Sequence, residues 1–300
     1  MSKIQDAIRK LQTAQKVKRS SRHSVEQAME TKAIATLERQ STDVPGGSPN
    51  DSGPVVNVDY DMLRKAGLLA PNAQQHRVAD QYRLIKRPIL NIASGRGAYQ
   101  SDDANLVMIA SPMPGDGKTF NCINLALSIA TEKDKSVLLV DADVANPHIS
   151  RLFGVDNEPG LIDLLTDESL AVGDLLLKTN VPGLRLLPAG QNNEHTTELL
   201  ASKRMASIVE TLSTTFPDRI VIFDSPPLLV TSEAPVLASL MGQIVVVVCA
   251  GVTPQHAVIE AVEILDPEKA ISLVLNKSGN GLGAGGYGSY GYGGQGATDV

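Results

Sequence analysis

Between Asn105 and Asn276 the apolar residues fall into short unbroken runs separated by stretches with helical spacing. The runs predict strands at Leu106–Ala110, Ser136–Val140, Leu184–Leu187, Ile220–Phe223, Ile244–Cys249 and Ile271–Leu275. None of them alternates apolar with polar. Strands that read this way are buried on both faces, as in a parallel sheet covered by helices. Two helices are predicted between the runs. One is Lys118–Thr131. The other is Thr197–Thr215, with Leu200, Met205, Ile208, Val209 and Leu212 at helical intervals. Ahead of the first strand, Asp61–Leu69 and Val78–Lys86 read as shorter helices, the second ended by Pro88. The fold class is therefore α/β, with a mostly parallel central sheet flanked by helices.

The two ends of the chain have different patterns. Residues 2–19 space Ile4, Ile8 and Leu11 on one helical face and crowd the rest with Lys and Arg. Ser2 and Gln5 form a capping-box pair. Residues 41–54 are rich in Pro, Gly, Ser, Asn and Asp and read as a linker. Residues 279–296 hold ten glycines in eighteen positions, together with Tyr287, Tyr290 and Tyr292. Such a tail buries too little surface to offset its ordering entropy. The expected organisation is a basic helical segment over 1–40, a linker over 41–58, a helical extension over 59–104, a catalytic domain over 105–278 and the tail over 279–300.

Composition narrows this picture. With 4 Phe, 6 Tyr and no Trp in 300 residues, the core must be aliphatic. The two cysteines, Cys122 and Cys249, lie in apolar stretches and form no disulfide framework, which fits a reducing compartment. No apolar run reaches the roughly 18–20 residues of a membrane span, and no signal peptide is expected. The net charge is −6, yet residues 1–22 carry seven basic residues and one acid. The remainder is therefore strongly acidic, which argues against a nucleic-acid partner. The basic helix is left as a docking arm for an anionic surface or an acidic partner.

Three motifs carry chemistry. Ser111 to Thr119, SPMPGDGKT, stands where a strand ends and a helix begins, the setting of a phosphate-binding loop. Pro114, Gly115, Asp116, Gly117, Lys118, Thr119 and Phe120 are its expected nucleotide contacts. Lys118 reaches the β- and γ-phosphates, and Thr119 offers a hydroxyl to Mg²⁺. Pro112 stands where the usual pattern has its first glycine. The second motif ends a strand with Asp141 and Asp143, two residues apart and so on one face. One can organise Mg²⁺ and the other can accept a hydroxyl proton; the residues alone leave open which does which. The third, Ile220 to Asp224, is an apolar strand ending in a carboxylate, expected to hold the metal through water. Asn276, closing the last strand, offers an amide to an adenine. Gly283 to Gly288 matches GxGxxG, but no apolar helix follows, so it is low-complexity sequence rather than a dinucleotide site.

In order and spacing these motifs resemble the bacterial tyrosine kinases of exopolysaccharide systems, P-loop proteins related to partition and septum-site ATPases. The resemblance covers roughly residues 60–300. The segment DQYRLIKRPIL looks like the exosortase-associated subgroup, in which the kinase is a separate soluble chain. It implies an ATP- and Mg²⁺-dependent protein-tyrosine autokinase in which Lys118, Thr119, Asp141, Asp143 and Asp224 form the site. The acceptors would be Tyr287, Tyr290 and Tyr292, phosphorylated in trans within a ring. It also implies a transmembrane chain-length-determinant adaptor as activator, control of polysaccharide export, and a cytoplasmic location against the inner face of the plasma membrane. Two positions depart from the family pattern. Ala145 stands where an Arg is usual. Asp80, Arg83 and Lys86 replace a Glu-x-x-Arg-x-x-Arg oligomerisation segment, and Lys lacks the bidentate fork of Arg. The competing readings are a partition-type ATPase switch and a nucleotide-binding scaffold without kinase activity.

Overall fold

A computed structural model describes residues 55–69, 76–96, 99–191, 196–215 and 218–278. The expected basic helix, most of the linker and the tail with its three tyrosines lie outside the described residues. Eight strands form one sheet: β1 (Val55–Val56), β2 (Leu106–Ala110), β3 (Ser136–Asp141), β4 (Leu177–Thr179), β5 (Leu184–Leu187), β6 (Arg219–Asp224), β7 (Gln243–Cys249) and β8 (Ala270–Asn276). Their spatial order is β1-β4-β5-β3-β6-β2-β7-β8. Every neighbouring pair is parallel except β4 with β5.

The unbroken apolar runs have the burial they imply. In β2, Leu106, Met108 and Ala110 face one core cluster, and Val107 and Ile109 face the other. The edge strand β8 departs from the expectation: Leu273 and Leu275 are 43% and 57% exposed. An edge strand has a neighbour on one side only, so apolar sequence does not guarantee cover. The short strands β1 and β4 were not anticipated, because two or three residues are too few to show a period.

The helices on the sheet are α1 (Tyr60–Lys65), α2 (His76–Ala93), α3 (Lys118–Ile129), α4 (His148–Leu152), α5 (Leu161–Thr166), α6 (Thr196–Leu200), α7 (Lys203–Thr215), α8 (Glu233–Ser239) and α9 (Gln255–Glu263). Three predicted boundaries need correction. Asp59 caps α1 by accepting from the Asp61 and Met62 amides, and the helix stops before Gly67, whose φ of 74° closes it well short of Leu69. Pro88 lies inside α2 rather than ending the helix. It stands on the exposed side, where water can take the Leu84 carbonyl that the ring leaves without a donor. The long helix predicted over 197–215 is two helices. The Ser202 hydroxyl accepts from the Met205 amide at 3.2 Å and starts a fresh helix there.

Candidate functional site

The carboxyl ends of β3, β6 and β2 lie side by side, and the register sets Asp141 directly opposite Asp224. The loop after β2 closes over them. Gly115 and Gly117 have φ of 83° and 99°, which side-chain-bearing residues rarely adopt. A Cβ on Gly117 would lie 2.1 Å from Asn276 Nδ2. Gly117 is the N-cap of α3. The first-turn amides of that helix have no intrahelical acceptor, so the loop and the helix dipole together make an anion cradle.

Lys118 points into the carboxylates. Its Nζ is 2.5 Å from Asp143 Oδ2 and 3.9 Å from Asp224 Oδ1. Burial alone would lower the ammonium pKa, but Asp224 and Asp143 outweigh it and hold the pKa above its ordinary value. Asp224 is fully buried and accepts from the Thr119 hydroxyl at 2.7 Å. Burial pushes its carboxyl up to about 7, against the pull of Lys118. Asp141 accepts both the amide and the hydroxyl of Ser150, at 2.8 and 2.7 Å. Burial still raises it to about 6. Asp141 Oδ1 and Asp224 Oδ1 are buried without hydrogen-bond partners. Orphan oxygens of this kind are costly unless a cation or donor satisfies them.

Among the described residues no three His, Cys, Asp or Glu side chains converge as a metal cage. Two carboxylates and a hydroxyl instead fit Mg²⁺, which keeps waters and takes phosphate oxygens as further ligands.

The fold brings together the loop residues Pro114 to Thr119, including Lys118, with Asp141, Asp143, Asp224 and Asn276, whereas the side chain of Phe120, a predicted contact, packs toward Gly67 and the core. Asn276 reaches the loop, where its Nδ2 donates to the Asp116 carbonyl at 2.8 Å. The Asp116 side chain is engaged as well. It accepts from the Met113 amide at 3.0 Å and from the Thr253 hydroxyl at 2.6 Å. Ala145 is exposed beside the site. Asp80 and Arg83 are exposed on α2 and pair with each other at 2.5 Å. Lys86 does not join them, which corrects the expectation that all three form one contact surface. It is 6% exposed and binds the Ser128 carbonyl at 2.7 Å and Glu132 at 2.6 Å. At 100° per residue, two steps of three carry a side chain about 120° round the helix, here from solvent to core.

Sequence reasoning missed Ser150, Thr253, Lys277, Tyr82 and Asn121. Lys277 Nζ donates to the Gly115 carbonyl at 3.0 Å. Among the described residues it is the one non-glycine with positive φ, 54°. No local signal marks these residues, since each acts across long sequence separations or through a side chain common in helices. Ser150 does lie in the stretch that follows Asp143.

The chain is similar to several known proteins. A family described as an AAA domain matches residues 104–265, more than half of the chain. The chain is 31% identical over 216 residues to tyrosine-protein kinase YwqD of Bacillus subtilis, covering 71% of this chain and 85% of that protein. It is 36% identical over 150 residues to EpsB of Ralstonia nicotianae, 50% of this chain but only 19% of that protein. This chain therefore spans about a fifth of the length of that relative. The kinase domain of Escherichia coli tyrosine kinase ETK superposes with a TM-score of 0.57 at 24% identity, covering 80% of this chain and 87% of that one. At that identity the likeness is one of fold.

Proposed function

The chain belongs to the bacterial tyrosine-protein kinase family, and from that premise we propose that it transfers the γ-phosphate of ATP to tyrosines of its own tail. The observation that carries this reading is the site itself: an anion cradle, a buried lysine and two orphaned carboxylate oxygens, with Thr119 beside them. Thr119, Asp141 and Asp224 would hold Mg²⁺, which would supply neutralisation of the phosphate charge. Gly115, Gly117 and the first turn of α3 cradle the β-phosphate. Lys118 turns from Asp143 to the γ-phosphate as the nucleotide enters. That exchange frees the Asp143 carboxylate to accept the proton of the attacking tyrosine hydroxyl. Positioning and electrostatics supply most of the acceleration.

The acceptors in this reading are Tyr287, Tyr290 and Tyr292. Their glycine-rich tether suits insertion into a neighbouring subunit's cleft as well as the chain's own. The wider role follows the family resemblance: self-association, activation by a membrane-embedded chain-length adaptor, and control of exopolysaccharide synthesis and export. Among the described residues no helix is long and apolar enough to cross a membrane. Contact with the membrane would run through the adaptor or the basic segment.

The test is phosphosite mass spectrometry of protein incubated with ATP and Mg²⁺, with Lys118→Met alongside and the adaptor's cytosolic segment in a parallel tube. Phosphate on any of the three tyrosines, absent from the variant, is the expected result. ATP consumption with an unmodified tail, adaptor included, would favour an ATPase switch instead.

A further inference from the structure

A two-bond chain of buried side chains ties α2 to the phosphate loop. Tyr82 is 5% exposed, and its hydroxyl donates to Asn121 Oδ1 at 2.9 Å. The same amide turns Nδ2 to the Gly117 carbonyl, also at 2.9 Å. Gly117 is the residue whose left-handed backbone opens α3. The Gly117 carbonyl can only accept, so it draws the donating end of the amide, and the Tyr82 hydroxyl donates to the accepting end and pins the side chain in that pose from α2. Without the hydroxyl, the oxygen end of the amide loses its buried donor, and the side chain that bonds Gly117 is no longer held from α2. Burial holds the Tyr82 phenol above its ordinary pKa, so it stays protonated at working pH.

One turn along α2, Lys86 binds the Ser128 carbonyl and the Thr131 hydroxyl at the far end of α3. Helix α2 therefore grips both ends of the helix that presents the anion cradle. On its other side α2 carries the exposed pair Asp80 and Arg83, flanking Tyr82 within one turn, and Leu84, which is 69% exposed.

We propose that Tyr82 is a positioning residue for the phosphate loop. It anchors the Asn121 amide, which bonds the Gly117 carbonyl, and so makes phosphate affinity depend on where α2 sits. The inference rests on the reading of this loop as a nucleotide site. It adds that a contact on the outer face of α2 reaches the phosphates without touching them.

The experiment is a titration of Mg·ADP, with a fluorescent analogue as reporter, on wild-type protein, Tyr82→Phe, Asn121→Ala and the double variant. Thermal midpoints are taken on each. Tyr60→Phe is the control, because the Tyr60 hydroxyl donates to the Asn180 carbonyl at 3.1 Å, away from the loop. Each Tyr→Phe change deletes one hydroxyl bond and lowers the midpoint by about 2–4 °C. Tyr82→Phe is expected to weaken ADP binding about fivefold, a typical coupling, and Tyr60→Phe to leave it unchanged. The double variant is expected to bind no worse than the weaker single, since both act through one chain. A Tyr82→Phe protein with a lowered midpoint and wild-type affinity overturns the proposal, as do additive effects in the double variant. Asn121→Ala, with wild-type affinity, would overturn it independently. Wild-type protein that binds ADP but never phosphorylates its tail would end the kinase reading and leave this test intact.

Discussion

Replacing Asp224 by Asn removes a buried charge while keeping the side chain's shape, and the structure sets the sign and size of the result. Asp224 is 0% exposed, and burial raises its carboxyl from 3.8 to about 7. At about 1.4 kcal/mol per pKa unit, an ionised Asp224 holds about 4 kcal/mol against folding in the absence of cation and nucleotide. The folded state binds this proton more tightly than the unfolded state does. Between about pH 4 and pH 7 folding therefore takes up a proton, and stability falls as pH rises through that window. The Asn variant does not titrate, and its amide oxygen can take the place of the Asp224 Oδ2 that accepts from Thr119. Urea unfolding without divalent cation or nucleotide, run from about pH 5 to pH 8, makes the comparison. The variant is expected to be more stable than wild type at pH 8, with the gap narrowing by about 2–3 kcal/mol toward pH 5. Mg·ADP should stabilise wild type and not the variant. A variant less stable than wild type at pH 8, or a gap independent of pH, would refute the argument that Asp224 is a strained charge awaiting a cation.

Other perturbations have equally definite outcomes. Ser150→Ala deletes a hydroxyl that donates to Asp141 Oδ2 and accepts from the Ala189 amide at 3.0 Å. It should cost about 1–3 kcal/mol in urea unfolding and slow tail phosphorylation, because Asp141 loses its orientation. Gly117→Ala places a methyl against Asn276 on a backbone of φ 99°. It should abolish nucleotide binding while circular dichroism shows a folded protein. Lys86→Ala removes both an ion pair to Glu132 and a bond to the Ser128 carbonyl. It should lower stability by about 3 kcal/mol. Loss of self-association at an unchanged midpoint, read by analytical ultracentrifugation, would instead return Lys86 to an intersubunit surface.

The parts of the candidate site were legible because each of them is local. SPMPGDGKT needs only a strand before it and a helix after it. Asp141 and Asp224 each end an apolar run, and apolar runs place themselves in a sheet interior. The supporting parts were not legible. Thr253 lies 137 residues from the Asp116 it bonds, and Tyr82 lies 39 residues from Asn121. Pro88 was misread because the rule against proline in helices assumes that the freed carbonyl has no water to accept from. Lys86 was misread because a spacing of three looks like a shared face but drifts round the helix over two steps.

The sequence by itself determined the chemistry on offer: the glycine-bearing loop with its lysine and threonine, two strand-end carboxylates with Asp143 two residues beyond the first, and a glycine-tethered row of tyrosines. It did so because backbone periodicity and motif spacing are properties of neighbouring residues. The tertiary structure alone decided that β3 and β6 align so that Asp141 faces Asp224, that Lys118 meets Asp143, and that α2 grips both ends of α3. Those outcomes depend on which apolar face packs on which, a competition settled by the whole core at once and encoded in no single stretch of chain.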